Sequence, residues 1–117
     1  MSDEQQIEPQ RAAELIADGA ALIDVREADE YEAGHIAGAR HVPLERLDAE
    51  AVGGDRSAPV VFYCRVGDRS ATAADAFAAS GWDAHSIAGG LEAWAEEGLS
   101  LDPEDGRVAE RSGLPPA

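Results

Sequence analysis

Residues 60–77 read VVFYCRVGDRSATAADAF, and three kinds of local order follow one another there. The run from Val60 to Tyr63 is β-branched and aromatic, the composition of a strand. From Ser70 onward, SATAADAFAASG sets Ala71, Ala74, Phe77 and Ala78 on one helical face and stops at Gly81. Between them lies the tight loop CRVGDRS, which holds Cys64, the one cysteine among 117 residues. A strand, a glycine-containing loop and a helix make the repeating unit of a parallel α/β sheet.

The flanking sequence extends the same alternation. PQRAAELIADG reads as a short helix ending at Gly19, and AALIDV as a strand covered on both faces. EADEYEAG is a helical piece closed by Gly34, GARHVPL a brief strand before Pro43, and LERLDAEAV a helix ending at Gly53. GGDRSAP has the composition of a loop. AHSI is a weak strand, and GLEAWAEEG a last helix carrying Trp94. The expected fold is therefore α/β, a mostly parallel sheet of about five short strands with helices on both faces. One domain is expected over residues 1–102. The polar, Pro- and Gly-containing stretch 103–117 reads as a loosely packed tail.

Charge narrows the partners. There are 24 acidic and 9 basic residues, a net charge of −15, and every basic residue is arginine. Such a field repels nucleic acid and anionic membranes, so neither is expected as a partner. It fits first a solvated acidic surface; adaptation to salt or a basic partner is the sharper alternative. No apolar run is long enough for a membrane helix, and MSDEQQIEPQ has no leader character. A single thiol suits a reducing, cytoplasmic setting. No spacing of Cys and His suggests a metal, and no glycine fingerprint a nucleotide cofactor.

The basic loop in this acidic chain carries the chemistry. In an open parallel sheet, ligands bind beyond the carboxyl ends of the strands, which is where Cys64 follows PVVFY. A loop containing Gly67 can turn its N–H groups inward, and a helix opening near Ser70 adds the positive end of its dipole. Both favour an anion at the loop centre, and the thiolate is the reactive form of cysteine. A lone cysteine is more often a small buried hydrophobe. Arg65, Gly67, Arg69 and Ser70 crowded around this one favour a reactive thiol.

Three motifs together resemble the rhodanese-like family. CRVGDRS is similar to its active-site loop, Cys-x-x-Gly-x-Arg-Ser. LIDVREADEYEAGHIAGARHVPL resembles its first-half signature through Asp24, Arg26, Glu30, Gly34, His35, Ile36, Gly38, Ala39 and Pro43. GGLEAW resembles its closing motif. The likeness spans Ile7 to Leu101, with Ala37 standing where the family often has proline. It implies a sulfurtransferase without cofactor, in which Cys64 takes a sulfane sulfur from a small donor such as thiosulfate and becomes a persulfide. Cyanide, a thiol or a protein acceptor then removes the sulfur. On this likeness the N–H groups of Arg65, Val66, Gly67, Asp68, Arg69 and Ser70 cradle the persulfide. Arg65 and Arg69 meet an anionic donor, and Asp68 weakens that local charge.

Asp24, Arg26 and His35 are expected at the pocket rim. The plainer reading of Arg26 is an ion pair with Glu30 or Glu32, and His35 and His41 read as hydrogen-bonded turn residues. Two other functions compete. Some phosphatases and arsenate reductases place five residues between cysteine and arginine, but four separate Cys64 from Arg69, a shorter ring better matched to one sulfur atom. A persulfide carrier or docking module without turnover is the other alternative.

Overall fold

The computed structural model describes residues 5–53 and 57–109. Five strands appear in chain order: β1 (Gln6–Ile7), β2 (Ala21–Asp24), β3 (Arg40–His41), β4 (Val60–Tyr63) and β5 (Ala84–Ile87). The helices are α1 (Pro9–Ala17), α2 (Ala28–Ala33), α3 (Ala49–Val52), α4 (Asp68–Ala79) and α5 (Gly90–Glu96). The strands form one sheet in the order β1-β5-β4-β2-β3, with every neighbouring pair parallel. The α/β expectation holds.

The apolar run of β4 makes it the central strand, buried along its whole length. Alternation of side chains then divides the core. Val60, Phe62 and Cys64 join Val52, Ala73 and Ala74 on one face of the sheet, packed by α3 and α4. Val61 and Tyr63 join Ala12, Leu91 and Trp94 on the other, packed by α1 and α5. No helix among the described residues is long and apolar enough to cross a membrane.

Two local expectations change, and one strand is added. LERLDAEAV is not one helix: a 3-10 turn at Leu44–Arg46 stops at extended Leu47, and α3 starts afresh. Asp48 is the cause, because its carboxylate accepts the Ala51 N–H at 2.7 Å and caps the second segment. Strand β1 has no sequence signal, being two residues long. It exists because the outer edge of β5 needs partners, supplied by Gln5 O to Ser86 N–H and Ile7 O to Ala88 N–H, each 2.8 Å. The helix after the cysteine loop begins at Asp68, two residues earlier than its apolar pattern indicated. Within GGDRSAP, residues 54–56 lie outside the described residues.

The stretch after Leu101 is docked as far as it is described. Asp102 bridges His35 antiparallel, and Arg107 N–H reaches Ala33 O at 2.9 Å. Gly34 and Gly106 let the two chains approach closely, since a Cβ on Gly34 would lie 2.5 Å from Arg107 O. Val108 packs on the core face shared by α1 and α5, and Ala109 is buried. Residues 110–117 lie outside the described residues.

Tyr63 fastens the chain after α2 to the central strand, its buried hydroxyl accepting the Ile36 N–H at 3.0 Å. Burial pushes the phenol far above its ordinary range, so it stays neutral. Tyr63→Phe is expected to cost about 1–3 kcal/mol, because it orphans a buried N–H. Urea unfolding should show an earlier midpoint with an unchanged slope.

Candidate active site

Cys64 stands at the carboxyl end of the central strand, where the chain leaves the sheet and turns into α4. Gly67 makes that turn with φ +104°, a left-handed conformation open to glycine. The loop carbonyls are taken up by α5: Leu91 N–H donates to Cys64 O at 2.8 Å and Glu92 N–H to Arg65 O at 3.0 Å. Gly90 permits this approach, because a Cβ there would lie 2.5 Å from Arg65 O. With those carbonyls held outward, N–H groups from farther along the loop face inward.

Two of them reach the sulfur. Gly67 N–H donates to Cys64 Sγ at 3.1 Å and Ser70 N–H at 3.4 Å. Ser70 Oγ lies 3.6 Å from Sγ and 2.7 Å from the buried Ser86 Oγ on β5. Ser86 had no motif to announce it. Its only sequence signal is a polar residue in the otherwise weak strand AHSI. The cysteine itself has no exposed surface. Of the residues whose atoms touch Sγ, only Asp68 is exposed, with Oδ1 at 3.6 Å from the thiol.

Asp68 is the first residue of α4. Burial would push its carboxyl up, but the N–H groups of Arg69 and of Asp68 itself, the Cys64 thiol and the Arg69 charge outweigh it. They hold the carboxyl below its ordinary range. Of the expected cradle of N–H groups from Arg65 to Ser70, those of Gly67 and Ser70 reach the sulfur. Val66 is exposed on the same loop, the only large apolar side chain so exposed among the described residues.

Neither arginine of the loop is free. Arg69 makes a two-pronged bond to Glu30 of α2, Nη1 to Oε1 at 2.9 Å and Nη2 to Oε2 at 3.0 Å. Glu30 is fully buried and also accepts the Glu27 N–H at 3.0 Å. Burial opposes its charge, yet Arg69 and the Glu27 N–H hold its carboxyl below the ordinary range. Arg65 is paired with Glu92 of α5 in a part-exposed contact. The expectation that both arginines point at an anionic donor thus meets two carboxylates already in place.

The rim residues form a separate, structural network. Arg26 does not pair with Glu30 or Glu32. Its Nε and Nη2 hold Asp24 at 2.9 and 2.7 Å, and Nη2 also donates to Gly34 O at 2.8 Å. Both side chains are fully buried, and the link locks the end of β2 to the end of α2. His35 stacks on Tyr31 at 3.8 Å, bonds Tyr31 O through Nδ1 at 2.8 Å, and has Asp102 3.7 Å from Nε2. His41 stacks on the same tyrosine at 4.9 Å and bonds Arg26 O through Nε2 at 2.6 Å. Trp94 is a core residue whose indole N–H donates to Ser100 O at 2.9 Å. Among the described residues no His, Cys, Asp and Glu cluster could hold a metal.

Known proteins share this arrangement of strand, loop and helix. The chain is 36% identical over 95 residues to a thiosulfate sulfurtransferase GlpE of Ectopseudomonas mendocina, covering 80% of this chain and 87% of that one. It is 38% identical over 96 residues to the GlpE of Pseudomonas paraeruginosa, with the same coverage. The human single-domain sulfurtransferase TSTD1 superposes with a TM-score of 0.69 at 26% identity, covering 80% of this chain and 96% of that one. The profile described as "Rhodanese-like domain" matches residues 8–97. The chain therefore belongs to the rhodanese-like domain family.

Proposed function

We propose that this protein is a sulfurtransferase that moves a sulfane sulfur from a donor such as thiosulfate to a thiol or cyanide through a persulfide on Cys64. The observation that carries this reading is the Cys64 sulfur at the loop centre, receiving N–H groups from Gly67 and Ser70. Donors so placed stabilise negative charge on sulfur in both the thiolate and the persulfide.

In the first step the Cys64 thiolate attacks the outer sulfur of thiosulfate. A new S–S bond forms at Cys64, the S–S bond of thiosulfate breaks, and its electron pair leaves with sulfite. In the second, an acceptor thiolate attacks the outer sulfur of the persulfide, and the Cys64 thiolate departs with its original electron pair. The product is an acceptor persulfide, or thiocyanate when the acceptor is cyanide. With one cysteine in the chain, no internal thiol resolves the persulfide, so the sulfur leaves to another molecule. Because the sulfur is buried, a donor reaches it only as side chains at the mouth move aside. The reaction needs a reduced thiol at rest, which a reducing cytoplasm maintains.

Incubation with thiosulfate should raise the intact protein mass by one sulfur atom, and cyanide should restore it. The increase should be absent in Cys64→Ser. Failure of wild-type protein to load would sink the reading. Stoichiometric loading with no thiosulfate:cyanide turnover would favour the carrier alternative.

A further inference from the structure

The charges around Cys64 do not form the anion-attracting mouth that two arginines in the loop suggest. Arg69 is committed to a fully buried carboxylate by two hydrogen bonds, and Arg65 is matched by Glu92. What remains over is Asp68, exposed, without an ion pair among the described residues, and 3.6 Å from Sγ. Beside it the loop exposes one large apolar side chain, Val66, at 42%. The exposed side chains of the loop are therefore a carboxylate and a valine.

We propose that Asp68 and Val66 make this site selective for sulfur donors whose group beyond the transferred sulfur is apolar or cationic, and that they handicap the dianion thiosulfate. The proposal rests on the persulfide reading above and assigns the donor class to it. The Asp68 carboxylate stands on the first residue of α4, 3.6 Å from Sγ, so an anionic donor works against its charge. Val66 offers no hydrogen bond to a charged oxygen and favours an alkyl group by contact. An acidic first residue also suits the helix dipole of α4, a purely structural role that would leave donor preference unmoved.

Organic thiosulfonates separate these roles, since they deliver the same sulfur. The Cys64 thiolate attacks the sulfane sulfur of R–SO2–S⁻, the S–S bond breaks, and its electron pair leaves with the sulfinate R–SO2⁻. Three probes differ in remote charge: thiosulfate, ethanethiosulfonate and 2-aminoethanethiosulfonate. The rate constant for sulfur loading of Cys64 is read by intact mass for each, in wild-type, Asp68→Asn and Val66→Ala protein. Each donor is compared with itself across variants, which removes differences in intrinsic reactivity.

Asp68→Asn should speed thiosulfate about fivefold or more, ethanethiosulfonate less, and should slow 2-aminoethanethiosulfonate, as expected for a nearby charge in partly screened surroundings. Val66→Ala should slow ethanethiosulfonate more than thiosulfate. In wild-type protein, added salt should narrow the gap between the dianion and the cation-bearing donor. Equal change for all three donors in Asp68→Asn would overturn the proposal, because Asp68 would then act on Cys64 and not on donor choice. Slower thiosulfate loading in that variant would overturn it as well. If wild-type Cys64 loads from none of the three, the persulfide reading itself falls, and the proposal with it.

Discussion

Arg69→Ala is expected to destabilise the fold by about 3–5 kcal/mol, the usual cost of removing one partner from a buried ion pair. The Glu30 carboxylate that Arg69 leaves behind is fully buried, and its remaining partner is the Glu27 N–H. For a domain whose total stability is about 5–15 kcal/mol, this is a large fraction. Replacing both residues by apolar ones of similar size, Glu30→Leu with Arg69→Met, should recover most of the loss, because no charge is then stranded. Denaturant melts of the single and double variants decide it. A single variant within about 1 kcal/mol of wild type would mean that the pair is not the lock described here.

The same pair sets a pH signature. In the folded protein Glu30 is held below its ordinary range, chiefly by Arg69 against the opposing effect of burial. A lowered carboxyl contributes stability that is present above the unfolded value, about 4.3, and lost as pH falls through the folded one. In Arg69→Ala the buried, unpaired carboxyl favours protonation. The stability gap between wild type and variant should therefore be largest near neutral pH, start to narrow above about 4.3, and close as the pH falls through the lowered wild-type value. A gap independent of pH would assign the destabilisation to lost packing.

Gly90→Ala is expected to be nearly as damaging, and to act directly on the reactive loop. The added Cβ would lie 2.5 Å from Arg65 O and 2.6 Å from Cys64 O, both backbone atoms that cannot swing away. The residue also sits at φ +63°, which costs a side chain about 1–2 kcal/mol before any clash. Overpacking typically adds about 1–3 kcal/mol more. Relief requires α5 to back away, which breaks the two bonds that hold the Cys64 and Arg65 carbonyls outward. The Gly67 and Ser70 N–H groups then lose their aim at the sulfur, and loading of Cys64 should slow by about tenfold or more. Gly38→Ala is the control: its φ is +85°, but a Cβ there meets nothing within 4 Å. It should cost only the dihedral strain and leave loading intact. Equal behaviour of the two variants would mean that α5 does not shape the loop.

The parts legible in advance were those governed by neighbours along the chain. The apolar run 60–63 is buried on both faces because its composition suits only a central strand. The short loop at Gly67 and the helix after it are likewise local matters of dihedral freedom and spacing. One local reading failed and one strand went unread: a side-chain cap at Asp48 overrode a continuous helical pattern, and β1 was too short to carry a pattern.

What the chain by itself determined, then, is the chemistry on offer: one thiol, at the end of a central strand, with four residues between it and Arg69 and a helix start close behind. What only the tertiary structure decided is which charges survive around that thiol. Arg69 meets Glu30 across 39 residues and Arg65 meets Glu92 across 27, because α2 and α5 dock on either side of the loop. Arg26, which could have taken Glu30, turns instead to Asp24 two residues away. Charge pairing falls off with distance in space, not along the sequence, so the loop reads as basic on paper. In the folded protein its arginines are matched, and Asp68 is left exposed 3.6 Å from the sulfur.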